Sequence, residues 1–154
     1  IAKHAGVSPA TIYLYYKDKT DLLSRVYEEV KTNLHDGLDE AIDQQSSLAD
    51  QIRQAIAFSI AQYRKYPKQA YFMGSLWNSQ EMLDQQAIDF GNTMTGALAD
   101  LFNRIEADPQ YVSTSKDVLD SFFTVPTLVL NHDPNLSEDK LKQICSMLIK
   151  AIKK

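Results

Sequence analysis

The stretch that decides the fold is residues 1–23, IAKHAGVSPATIYLYYKDKTDLL. Gly6 and Val7 interrupt a helical run, so Ile1–Ala5 reads as the end of a helix stopped at Gly6. Ser8 is a good N-cap, and Pro9 stands at the first helical position, where its missing N–H costs nothing. A short helix follows to about Tyr16. Asp18 can cap the next helix, with Asp21 three residues later near that helix's positive end. A helix end, a tight turn and a short second helix make a helix-turn-helix, the arrangement that places its second helix in the DNA major groove. Thr11 offers a hydroxyl and a methyl there, Tyr13 and Tyr15 offer phenols, and Lys17 and Lys19 follow at phosphate-binding positions. Lys19 also opens a long helix, whose free N–H groups favour a phosphate. Ile12 and Tyr16 read as the core side of the same short helix.

Outward from this stretch the charge is uneven. The whole chain has 154 residues and a net charge of −4. Residues 1–25 carry Lys3, Lys17, Lys19 and Arg25 against Asp18 and Asp21, a net +2. An acidic body with a small basic head fits DNA binding through the head alone. Hydrophobic residues make up 44% and charged residues 23%, a globular composition with no basic-then-apolar leader pattern. The longest apolar runs, such as Val125–Leu130, are too short to span a bilayer, so no membrane partner is expected. A single cysteine, Cys145, excludes an intramolecular disulfide and a multi-cysteine zinc site. It fits a reducing, cytoplasmic setting.

The remainder reads as helix throughout. Leu23, Val26, Tyr27, Val30, Leu34, Leu38 and Ile42 form one stripe of a helix expected over Lys19–Gln44. Ser47 with Asp50 caps a helix ending near Tyr66, and Pro67 starts another to about Asn78. That helix is apolar almost all round, which predicts burial. Ser79 opens a long helix to about Ala107, weakened at Gly91 and Gly96. A further helix spans about Ser115–Asn131, with a kink expected at Pro126. Ser137 caps the last helix, whose stripe is Leu141, Ile144, Cys145, Leu148, Ile149 and Ile152.

Residues 1–23 resemble the TetR family of bacterial regulators. The family pattern is a run of the form IA..AGVS..T.Y.YF..K..L. Ile1, Ala2, Ala5, Gly6, Val7, Ser8, Thr11, Tyr13, Tyr15, Lys19 and Leu22 stand in its places, and Tyr16 replaces the usual phenylalanine. The resemblance implies an all-α, TetR-like fold. Residues 1–24 would be a partial three-helix helix-turn-helix head without its first helix, and residues 25–154 a helical ligand-binding and dimerisation domain. It implies that Thr11, Tyr13 and Tyr15 contact operator DNA, that Ser8, Pro9 and Ala10 lie at the groove-facing helix end, and that Lys17 and Lys19 hold phosphates. It further implies repression of transcription by a homodimer on a palindromic operator, paired through the last two helices.

The same resemblance places an effector pocket among the middle helices, where core packing is the simpler account of the aromatic and Met residues. Phe58, Tyr63, Phe72, Met73, Trp77, Phe90, Met94 and Phe122 are the candidate lining, and they suit a small hydrophobic effector. Neither a metal nor a cofactor is expected. His4, His35 and His132 lack ligand spacing, and Cys145 lies on an apolar face without a basic neighbour. Asp36, Asp39, Glu40 and Asp43 read as a solvated face, and no phosphate loop or nucleophile elbow is present, so enzymatic activity is not expected. The rival reading is a helical small-molecule-binding or interaction protein with no role on DNA.

Overall fold

In the computed structural model, which describes residues 2–77, 79–93 and 95–154 with the side chain of Trp77 set aside, the chain is all-helical. The helices are α1 (Pro9–Tyr13), α2 (Lys19–His35), α3 (Leu38–Ala41), α4 (Leu48–Lys65) and α5 (Pro67–Trp77). A 3-10 turn (Gln80–Met82) leads to α6 (Gln85–Asn92), α7 (Gly96–Ala107), α8 (Lys116–His132) and α9 (Glu138–Ile152). The only extended pairing among the described residues is an isolated antiparallel bridge between Tyr111 and Lys153.

The cap residues act where the sequence places them. Ser47 accepts the Asp50 N–H at 3.2 Å and Ser137 accepts the Lys140 N–H at 3.4 Å. Each satisfies one of the N–H groups a helix start leaves unpaired. Two expected helices are broken. The run expected over Lys19–Gln44 stops at His35, because Gly37 takes φ +84 and restarts the chain as α3. A side chain is strained in that left-handed region, so the glycine reads as a stop and not as a gap in the stripe. The run expected over Ser79–Ala107 is three pieces: the 3-10 turn, α6 capped by Asp84, and α7. The start of α7 has no cap of its own. Asp39 from α3 supplies one, its Oδ1 accepting the Ala97 N–H at 2.8 Å.

The chain divides into two compact units. Unit 1 comprises Ile1–Asn33 and Phe72–Thr93. Its core is Tyr27, Leu76, Leu83 and Ala87, with Leu23, Phe72, Met73 and Ile88 packed against them. Unit 2 comprises Leu34–Tyr71 and Met94–Lys154. There α4 is the hub, packed against α3, α7, α8 and α9. Ile52, Leu101, Phe102, Ile105 and Leu119 are wholly buried around it, and Phe102 meets Phe123 edge-on with centroids 4.9 Å apart. Burying each such side chain contributes about 1.5–3 kcal/mol. Gln51 is a buried polar residue of this core. Its Nε2 donates to Ser46 O at 3.1 Å and its Oε1 accepts from Arg104 at 2.7 Å, so burial leaves neither end unpaired.

The boundary read between residues 24 and 25 falls inside α2. Packing groups α2 as far as Asn33 with the head and with α6 in unit 1. Burial of α5 departs from expectation: Leu76 is buried, while Tyr71 is 66% exposed. An apolar circumference is therefore only partly covered within this chain. Pro126 sits inside α8 without ending it, buried, and removes the donor that the Phe122 carbonyl would otherwise receive.

Candidate nucleic-acid interface

The described part of the head begins with a turn. The Val7 N–H bonds the Ala2 carbonyl at 3.1 Å and the Gly6 N–H bonds the Lys3 carbonyl at 3.4 Å. Gly6 has φ +67. This nested pair around a left-handed residue has the Schellman pattern, and residues 2–5 form a turn. A Cβ on Gly6 would meet nothing within 4 Å, so the backbone conformation and not crowding demands glycine.

Two residues later α1 starts. Ser8 is its N-cap, accepting the Thr11 N–H at 3.2 Å, with its Oγ 2.9 Å from the Thr11 hydroxyl. Pro9 occupies the first helical position. The helix ends at Tyr13, short of the expected Tyr16, in a tightened turn where the Leu14 N–H bonds the Thr11 carbonyl at 3.3 Å and the Tyr15 N–H bonds the Ile12 carbonyl at 3.0 Å. That tightened turn presents three successive side chains to solvent: Tyr13 is 65%, Leu14 80% and Tyr15 78% exposed.

Ser8, Pro9, Ala10, Lys17 and Lys19 are also exposed. Thr11 is half-buried with its hydroxyl beside Ser8, so its methyl is the freer group. Ile12 and Tyr16, the expected core side, are half-buried. Asp18 accepts the Asp21 N–H at 2.9 Å, and Asp21 Oδ2 accepts the Lys17 N–H at 2.9 Å. These two bonds fix the backbone that carries Lys17 and Lys19. The result is a short helix with exposed phenols at its end, followed by two lysines at the start of the next. Such a surface can hydrogen-bond and neutralise phosphates while a short helix reaches into a groove.

Residues 1–26 match the family model for "Bacterial regulatory proteins, tetR family". The head is thus similar to the segment that this model describes. The chain is also similar over its whole length to solved regulators. One is a TetR family transcription regulator from Marinobacter aquaeolei VT8, at 19% identity and TM-score 0.80, covering 99% of this chain and 82% of that one. Another is a TetR-family transcriptional regulator from Haemophilus influenzae Rd, at 22% identity, TM-score 0.74 and the same coverage. A third, a putative transcription regulator from Lactobacillus plantarum, matches at 17% identity and TM-score 0.64, covering 99% of this chain and 84% of that one. No curated protein matches by sequence. The architecture is thus the TetR-like all-α fold.

The candidate effector residues fall in separate clusters. Phe58 and Phe122 pack against the α4 core of unit 2. Tyr63 is buried beside Leu130, Leu136 and Leu141, its hydroxyl donating to Asn131 at 2.6 Å, and burial pushes its pKa up. Phe72 and Met73 pack on the unit 1 core, and Phe90 is 39% exposed with the Lys31 ammonium 5.9 Å from its ring centroid. Met94 and the Trp77 side chain lie outside the described residues. Cys145 is half-buried, and burial raises its pKa, away from a reactive thiolate. Among the described residues no group of three or more His, Cys, Asp or Glu side chains could hold a metal ion. None of the helices searched is long and apolar enough to cross a membrane.

Sequence reasoning missed Leu14 and the polar cluster around Arg25. Leu14 carries no polar signal. Arg25 with Asp21 and Glu28 has helical spacing and was legible as surface pairs, but its third partner, Asp84, lies 59 residues away.

Proposed function

We propose that this chain is a DNA-binding transcription regulator of the TetR type, acting as a ligand-responsive repressor on a palindromic operator. The observation that carries the reading is the head: a Schellman-type turn at Gly6, a Ser8-capped α1 and exposed Tyr13, Tyr15, Lys17 and Lys19, within the segment that matches the family model. Ser8, Pro9 and Ala10 enter the groove at the start of α1. Tyr13, Tyr15, Lys17 and Lys19 bind phosphates, and the Thr11 methyl touches a base edge. A homodimer through α8 and α9 sets two heads to read two half-sites. Exposed Val118, Leu128 and Met147 on those helices supply apolar surface for it.

Repression is relieved when a small hydrophobic effector, held among the aromatic side chains of the middle helices, favours a head spacing that no longer fits successive major grooves. The protein works in the cytoplasm, and its role is binding, not catalysis. The test is selection of duplexes from a random pool by the full-length protein, followed by footprinting. A protected, near-palindromic site with strongly salt-dependent affinity supports the reading. Absence of any enriched sequence at low salt overturns it.

A further inference from the structure

One guanidinium in unit 1 is shared among three carboxylates. Arg25 Nη1 donates to both Glu28 oxygens at 2.8 and 2.7 Å, and Nη2 donates to Asp84 Oδ2 at 2.5 Å. Its Nε is buried without a hydrogen-bond acceptor, and the nearest carboxylate oxygen, Asp21 Oδ1, stands 3.6 Å away. The other Asp21 oxygen is committed to the Lys17 N–H at 2.9 Å. Asp84 is equally committed: its Oδ1 caps α6 by accepting the Ala87 N–H at 2.8 Å, and its own N–H donates to the buried Ser24 hydroxyl at 2.8 Å. A continuous chain therefore runs from the α6 N-terminus, through Asp84, Arg25 and Asp21, to the backbone of Lys17.

The unsatisfied Nε gives this chain a direction. A buried donor without an acceptor favours any shift that supplies one. Asp21 Oδ1, the oxygen not on the Lys17 amide, stands nearest to it, and the bond from Nη2 to Asp84 holds the guanidinium against turning to meet it. If Asp84 withdraws, Nε and Nη2 are free together to take Asp21 as a parallel two-point pair, the geometry guanidinium and carboxylate prefer. That pair draws on Oδ2 as well, so the Lys17 amide shares its acceptor with the guanidinium, and the segment bearing Lys17 and Lys19 loosens.

We propose that Arg25 is a positioning residue whose ion pair with Asp84 keeps Asp21 on the Lys17 amide, so that the placement of the α6 N-terminus governs how firmly the phosphate-binding lysines are held. This rests on the DNA-binding reading. Asp84→Asn is the selective probe, because an amide oxygen still caps Ala87 and the backbone N–H still reaches Ser24, while the charge on Arg25's partner is gone. Two readouts are taken on the full-length protein: amide hydrogen exchange at Lys17 and Ala87 without DNA, and affinity for the selected duplex across a salt series.

The relay requires faster exchange at Lys17 with Ala87 unchanged, an affinity loss of about fivefold or more, and a salt slope shallower by about one phosphate contact. Arg25→Gln should reproduce these effects, and the double variant should be no worse than the weaker single one. Arg25→Lys, which keeps the charge but not the fork, should act in the same direction even if the Asp84→Asn variant proves poorly folded. Wild-type exchange at Lys17 and affinity within twofold in these variants, with only thermal stability lowered, would reduce the cluster to a brace and overturn the proposal. Wild-type protein that binds no duplex, with the exchange pattern as required, would sink the DNA reading and leave the relay without its lysine-on-phosphate role.

Discussion

Asp50 shows how one carboxylate can be read from chain to property. It stands three residues after Ser47, receives the Ser47 hydroxyl at 2.6 Å and pairs with Arg53 at 2.6 Å. The hydroxyl first and the guanidinium second hold its pKa below the usual carboxylate range. A folded-state value below the unfolded one means that Asp50 contributes stability above about pH 4, and that this contribution is lost as pH falls through the lowered value. Asp50→Asn should therefore narrow its stability deficit against the parent as pH drops from 6 toward 3, read by urea unfolding at each pH. A deficit that stays constant or grows would show that the bonds to Asp50 carry no charge dependence. At this scale the sequence was informative for caps, since Ser8, Ser47 and Ser137 all act as read. It placed Asp39 only in a solvated face and was silent on Asp84; their partners, Ala97 and Arg25, are each more than fifty residues distant and meet them only after folding.

Among elements, the helix order was legible and two breaks were not. The Lys19–Gln44 stripe keeps helical spacing straight through Gly37, so periodicity alone gives no warning there. The structure supplies the reason for the break in φ +84. Its cost can be measured. A Cβ at residue 37 would meet Phe58 at an ordinary 3.7 Å, leaving only backbone strain. Gly37→Ala should cost about 1–2 kcal/mol in chemical unfolding. A neutral or stabilising result would mean that the helix prefers to run on to residue 44.

The last helix carries a different lesson. Leu148, in the apolar stripe of α9, is half-buried and packs on the α4 core, whereas Met147 beside it is 68% exposed. Stripe membership alone does not separate core from surface available to a partner. Met147→Glu should shift sedimentation from dimer toward monomer at micromolar concentration while leaving the helical circular-dichroism spectrum in place. A monomeric parent, or a variant that dimerises as well as the parent, would contradict pairing through α8 and α9.

For the whole molecule, the head was the most legible part because its logic is local: a stop, a cap and a proline within nine residues set the turn, and the exposed phenols and lysines follow in order. The candidate effector residues were least legible, because Phe58, Tyr63 and Phe122 serve as packing as well as any pocket wall would, and aromatic composition does not tell the two uses apart. The central claim is that the exposed side of α1 and the start of α2 meet DNA, and affinity of the full-length protein for its selected duplex tests it most directly. Tyr13→Ala and Lys19→Ala, at side chains that stand free in solvent, should each weaken binding by about tenfold, equivalent to about 1.4 kcal/mol, with unchanged far-ultraviolet circular dichroism. Unaltered affinity in both variants would place the DNA on another surface and contradict the account.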